Sequence, residues 1–482
     1  MNVDTPTLTG TMRSVSLILT AIMFSTLTTG CDSAEDLRDS PSLLFNLSHL
    51  DRLGETISLG DSTLRIIHIY SEAPDYAWVA DDDEGAAALD DAARAAVVYL
   101  RHFELTGDRD SLEKAKQLLR FIMYMQREDG LFYNFVWDSS LRINTDHPNS
   151  RAEPFGWWAA RGIWALGTGA RVLMDEDPSF SELSAERIRR AYPHLRILLT
   201  KYQQYGFPGG RAVPLWLISE TASDATSELL LGLTSLYRAY PDEELREMVD
   251  RFADGIATMQ YGSMNVFPYG SHASFTGIWH GWGNSQTMAL SEAGRTASAV
   301  YEAENFYPRL LTEGWLNSIS FNDPDASREF DQIAYAVRAV AVGLLRLSEA
   351  TSETKYAIMA GLAASWFLGN NVASFAMYDA KTGRGYDGIG EDRSVNRNSG
   401  AESTIEALFT ILEIEYNREA RMWIGARNGE GGRIAREGKE YTYRVFTMGA
   451  DEGVHRLGLV LDLTNEQLMI LEAGDLDRFL AD

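Results

Sequence analysis

From position 89 to 416 the chain keeps a single rhythm of helix after helix, and this limits the possible folds more than any motif does. Leu89–Thr106 places apolar residues at helical spacing, Val97, Leu100 and Leu105 among them, and Gly107-Asp108 stops it. Asp110 is expected to cap a second helix over 111–126, with Leu112, Ala115, Leu118, Leu119 and Ile122 on one face. The unit recurs at 157–173 with 185–205, 222–239 with 243–259, 283–301 with 304–319, and 327–349 with 354–368. A last helix stands at 401–416, after a long Gly-rich loop. Helices paired this way predict either an open solenoid or a closed toroid. Solenoid repeats are short, alike and joined by uniform loops. Here the loops between pairs are long and rich in Trp, Tyr, Gly, Asn and His, which suits a toroid with one functional rim. Eleven helices can be read in this way, so a toroid of six hairpins lacks its twelfth.

The ends read differently. Positions 439–448 and 457–463 alternate like strands, so 419–482 is expected to be a small β-containing appendage on a toroid spanning 61–418. Another strand-like run lies at 63–70. At the other end, Arg13 precedes an apolar run over 15–27 that is too short to span a bilayer comfortably. Thr28-Thr29-Gly30-Cys31 then resembles the lipobox of a bacterial lipoprotein, although Thr28 stands where leucine is usual. Residues 1–30 therefore read as a lipoprotein signal peptide, with Met12 the better start. Cys31 would be the lipid acceptor and 31–60 a tether with an N-terminal extension. This predicts an exported protein anchored to a bacterial membrane by its N-terminal lipid alone, on the periplasmic or cell-surface side. Cys31 is the sole cysteine, which rules out an internal disulfide.

With 43 basic and 69 acidic residues the formal charge is −26. Nucleic acid is a poor partner for such a chain, because phosphate binding needs clustered Lys and Arg; the acidity reads as solubility. No Gly-rich phosphate loop, zinc-protease motif, Cys/His metal spacing or nucleophile elbow is present, so neither cofactor nor metal is expected.

Two helix starts carry the most chemistry. Glu84, Asp90 and Asp91 open the first helix, with Arg94 one turn on. One aspartate suffices to cap a helix and complement its dipole; two, together with Glu84, exceed that need. Asn398, Glu402 and Glu406 stand where the last helix begins, and here too an acidic first turn has a plain dipole explanation. If the chain closes on itself the two starts face one cleft, and two carboxyl groups across a cleft are the minimum for hydrolysing a glycosidic bond. Trp157 and Trp158 offer rings on which sugar faces stack, whereas Trp164 suits the core better. Glu220 and Asp224 form a third acidic helix start. His280, Trp282 and Asn284 belong to a loop, 275–284, that lacks helical periodicity and suits a ligand rim. A lone loop histidine is more often neither base nor ligand.

The hairpin rhythm, Asp90-Asp91-Ala-Ala-Arg94-Ala, Trp366-Phe367-Leu368-Gly369-Asn370-Asn371 and Asn398-Ser399-Gly400-Ala401-Glu402-Ser403 together resemble the six-hairpin glycosidase superfamily, over about 64–416. The likeness is to an uncharacterised branch, since the motifs are not the defining ones of a characterised family. It implies an all-α fold, an (α/α)6 toroid with the C-terminal appendage added. It also implies inverting hydrolysis of an oligo- or polysaccharide, with Asp90 or Asp91 as base and Glu402 as acid. Fold alone does not fix the chemistry. A polysaccharide lyase would use a base such as Tyr269 or His280 and a cation to neutralise a uronate. A non-catalytic glycan-binding component would bind sugar without turnover.

Overall fold

The computed structural model describes residues 44–449 and 455–481. The expected signal peptide and Cys31 lie outside them. Twelve helices form six hairpins: α1 Leu89–Thr106 with α2 Arg109–Met125, α3 Trp157–Val172 with α4 Pro178–Leu199, and α5 Ser223–Ala239 with α6 Glu243–Thr258. They continue as α7 Gln286–Glu292 with α8 Thr296–Asn305, α9 Ala334–Thr351 with α10 Thr354–Ala364, and α11 Ala401–Glu415 with α12 Arg418–Trp423.

Odd-numbered helices are apolar nearly all round and are buried accordingly: every residue of α5 from Ser223 to Leu236, and of α9 from Ala334 to Leu347, is out of solvent. The even-numbered α2 and α6 have one apolar stripe and bury only that face. Each odd helix therefore packs against both odd neighbours, α1 on α3, α3 on α5, and onward to α11, which packs back on α1. The inner ring closes, and each even helix lies outside its partner. The chain thus has the (α/α)6 toroid fold.

One seam of the ring is glycine-dependent. A Cβ at Gly167 would fall 2.1 Å from the Gly232 carbonyl oxygen, and one at Gly232 would fall 2.4 Å from that of Ile163, so α3 and α5 touch backbone to backbone.

The structure departs from the sequence reading in several places. Asp108, not Asp110, caps α2, its carboxylate accepting from the amides of Asp110 and Ser111. The long helices expected at 283–301 and 304–319 are broken. Gly294, at φ +75, separates α7 from α8, and a short helix Tyr307–Thr312, with Pro308 in its first turn, follows before the strand Ser318–Ser320. Residues 327–333 are strand and loop, so α9 starts later than read. The missing twelfth helix is α12: only six residues, capped by Asn417, too short to show a period. It completes the sixth hairpin within the stretch assigned to the appendage.

The tail forms a four-stranded antiparallel sheet in chain order, Arg427–Arg436, Lys439–Met448, His455–Asp462 and Gln467–Glu472, followed by helix Ala473–Ala481. Phe446, Leu457 and Leu459 join the toroid's hydrophobic core, and Arg444 donates to the Thr312 carbonyl at 2.8 Å. With this sheet and the short strands between hairpins, "all-α" describes the ring rather than the whole chain. No described helix is long and apolar enough to cross a membrane.

Candidate functional site

At one mouth of the ring lies a cavity of about 830 Å3. The inner helices present their N-terminal ends to it: Asp90 and Asp91 from α1, Trp157 and Trp158 from α3, Asp224 from α5, Tyr335 from α9 and Glu402 from α11. Converging N-termini carry partial positive charge, which favours carboxyl groups there. Loop 275–284 supplies His280 and Trp282.

Arg94 is the hub. Its Nη1 donates to Glu402 at 3.1 Å and Glu406 at 2.8 Å, and its Nη2 donates to Asp90 at 3.2 Å and Asp91 at 2.7 Å. A single guanidinium thus ties the first hairpin to the sixth. Arg161 from α3 donates to the other Asp90 oxygen at 2.6 Å, to Glu228 at 2.7 Å and to the Tyr335 hydroxyl at 2.5 Å. Arg338 from α9 bonds Glu406 from behind. Three guanidiniums therefore meet five carboxyl groups, and the charge balances when two of the five hold protons.

Two of them are held towards that form. Burial pushes Asp91 up to about 8, with the neighbouring Asp90 adding to the effect and Arg94 opposing it. Burial also raises Glu402, against the pull of Arg94 and Arg161. At Asp90 burial works in the same direction, but Arg161 and Arg94 outweigh it and hold the carboxyl below its ordinary range. Arg338 and Arg94 do the same for Glu406. Access separates them further. The Glu402 side chain is 48% exposed and that of Asp90 22%, whereas those of Asp91 and Glu406 are closed off at 6% and 2%.

Across the ring, α5 stands opposite α11. Asp224 lies 3.0 Å from His280 Nε2, and burial raises Asp224 although His280 opposes it. Trp282 stacks on the imidazole at 4.3 Å and is itself 40% exposed. The other ring nitrogen, Nδ1, is buried without a hydrogen-bond partner.

Of the residues singled out in the sequence, Glu84, Asp90, Asp91, Arg94, Trp157, Trp158, Asp224, His280, Trp282 and Glu402 all line this cavity. Glu84 accepts from the Tyr70 hydroxyl at 2.7 Å. Five others do not line it, one of them Glu406, already placed on Arg94 and Arg338. Glu220 turns outward to Lys201, Asn284 is buried 3.5 Å from the Tyr307 hydroxyl, Asn398 accepts from the Ala73 amide, and Tyr269 lies under Arg309. Arg161, Glu228, Tyr335 and Arg338 went unread, as did Asp387, whose carboxylate holds Ser403 and the Gly400 amide at the start of α11. The signal for Arg161 and Arg338 was present: each is a lone charge within an apolar helical run. Among the described residues, no group of three or more His, Cys, Asp or Glu is placed to hold a metal ion.

No family model and no curated protein matches the chain. Solved structures do. A sugar epimerase from a ruminal bacterium is similar at 13% identity and TM-score 0.53, covering 79% of this chain and 98% of that one. Cellobiose 2-epimerase from Bacillus thermoamylovorans B4167 is similar at 12% identity and TM-score 0.55, with the same coverage. A metagenome-derived glycoside hydrolase family 9 endoglucanase follows at 13% identity and TM-score 0.47, covering 79% and 81%. At these identities the likeness is one of fold.

Proposed function

We propose that the chain hydrolyses glycosidic bonds in an oligo- or polysaccharide bound in this cavity, with Glu402 as the proton donor. One observation carries the reading. Glu402 and Asp90 hang on the same guanidinium, both reach the cavity, and their proton affinities are pushed in opposite directions. A carboxyl group with raised proton affinity beside one with lowered affinity is the division of labour glycoside hydrolysis requires. Glu402 gives its proton to the glycosidic oxygen as the bond to the anomeric carbon breaks. A water attacks that carbon and passes its proton to Asp90, so inversion is the expected course. Asp91, closed off and protonated, positions Arg94 instead of taking the proton. Trp282 and Phe275 supply exposed rings for sugar faces.

The test is digestion of a glycan panel by wild type, Asp90→Asn and Glu402→Gln, with products separated by chromatography and the first-formed anomer read by NMR. Saturated reducing sugars that disappear in both variants support the reading. Tight sugar binding with no turnover by wild type would make the chain a glycan-binding component.

The Asp224–His280 pair favours a second reading, sugar epimerisation, the activity named for two of the similar solved structures. Asp224 holds the imidazole through Nε2 at 3.0 Å, and a carboxyl–imidazole pair at a sugar cavity is suited to taking a carbon-bound proton beside a carbonyl. That activity would place solvent deuterium on the sugar carbon without cleavage, and His280→Gln would abolish it.

A further inference from the structure

The charges lining the cavity bear on which sugars it accepts. Six carboxyl groups line it, those of Glu84, Asp90, Asp91, Asp224, Asp387 and Glu402, against the guanidiniums of Arg94 and Arg161 and the imidazole of His280. Neither guanidinium is uncommitted. Arg94 spends both terminal nitrogens on four carboxyl groups, and its Nε faces the Asp90 carbonyl at 3.5 Å. Arg161 spends all three nitrogens, on Asp90, Glu228 and Tyr335. His280 turns Nε2 to Asp224.

Recognition of a sugar carboxylate or sulfate normally rests on a guanidinium or ammonium that is free to pair with it. Here an entering anion would have to displace a carboxyl group already bound to Arg94 or Arg161, and would then stand among the cavity's other carboxyl groups. The cavity's own acids show the same penalty where no second guanidinium offsets it: burial raises Asp91, Asp224, Asp387 and Glu402, whereas Asp90, held by Arg161 as well as Arg94, is lowered. What remains for contact is hydroxyl-matching chemistry, amides and carboxyl oxygens beside the exposed rings of Trp282 and Phe275.

We infer that this cavity takes glycans free of carboxylate and sulfate groups and rejects uronate-bearing ones. The inference rests on the carbohydrate-cleaving reading of the same site and narrows it. It also removes the condition a polysaccharide lyase depends on, a cation free to neutralise a uronate.

Matched pairs isolate the charge from stereochemistry and linkage. Oligosaccharides of β-1,4-glucan and β-1,4-mannan are compared with β-1,4-glucuronan and β-1,4-mannuronan oligosaccharides of equal length. Turnover is followed with wild type, and binding with Glu402→Gln, whose amide stands in for the protonated acid. The expected result is that a neutral member is cleaved and bound while its uronate partner binds at least about tenfold more weakly. The gap should narrow at high salt, as screening of like charges requires. Equal or tighter binding of the uronate, or ultraviolet-absorbing unsaturated products from it, overturns the inference and leaves the carbohydrate site intact. Silence from the neutral and the charged members alike counts against the carbohydrate reading, and the inference falls with it.

Discussion

Arg94 is shared by four carboxyl groups, and a second guanidinium decides which of them ionise: Arg161 bonds Asp90 and Arg338 bonds Glu406, whereas Asp91 and Glu402 have Arg94 alone. Glu402, raised and half exposed, is needed protonated; Asp90, lowered, is needed ionised. Activity should therefore trace a bell against pH, its acid limb set by protonation of Asp90 and its alkaline limb by loss of the Glu402 proton. Glu402→Gln is expected to lower kcat by about 10²–10⁴-fold and to remove the alkaline limb from whatever rate remains. An unchanged alkaline limb in that variant would dismiss Glu402 as the donor. Asp91 makes a separate prediction about stability. Folded, it keeps its proton up to about pH 8; unfolded, only to its ordinary 3.8. Its stabilising contribution is thus complete below about pH 4 and is lost as the pH climbs to about 8. Asp91→Asn keeps an acceptor for Arg94 and cannot ionise, so its thermal midpoint should fall less than that of wild type between pH 5 and about 8. A parallel fall would show that Asp91 is ionised throughout.

Five helices were legible nearly in full: α1 matched its expected bounds, and α3, α5, α6 and α11 each ended within a residue of theirs. Legibility failed where tertiary context does the specifying. The fourth hairpin turns at Gly294 with a periodic run on either side, so the sequence looked continuous. Six-residue α12 has no period to read, and two-residue strands are visible only through their partners. The site was half legible for a related reason. Acids at helix starts announce themselves, whereas Arg161 and Arg338 sit mid-helix in apolar company and acquire meaning only when three helices meet. Gly232 shows context at its sharpest. Helix propensity favours alanine there, yet α3 leaves no room for a Cβ. Because the obstructing atom is a backbone carbonyl, Gly232→Ala should lose at least about 1–3 kcal/mol in a denaturant titration. A gain in stability would mean that α3 and α5 are free to separate.

A closed ring differs from a solenoid in having no ends to fray, and the mouth opposite the cavity shows how closure is held. An unbroken series of ion pairs runs round it from helix to helix: Arg171 of α3 to Glu104 of α1, Arg101 of α1 to Glu413 of α11, and Glu413 to Arg346 of α9. It continues from Arg346 to Glu292 of α7 and from Glu292 to Arg238 of α5. Five of the six seams are spanned; the remaining one, between α3 and α5, is the glycine contact. Glu413 closes the seam between the last hairpin and the first, and although burial opposes it, Arg101 and Arg346 hold it down to about 2. Its depressed proton affinity stabilises the fold above its ordinary 4.5, and that contribution is lost as the pH falls towards about 2. Glu413→Gln should cost about 3–5 kcal/mol at neutral pH, as breaking a buried pair does, and less in acid. In a solenoid such damage would stay near its origin, because each repeat answers only to its neighbours. In a closed ring, opening one seam frees both faces at once, so hydrogen exchange should accelerate in α5, across the ring, as much as in α1 and α11. Acceleration confined to α1 and α11, with α5 unchanged, would show that the hairpins unfold independently and that closure contributes no cooperativity.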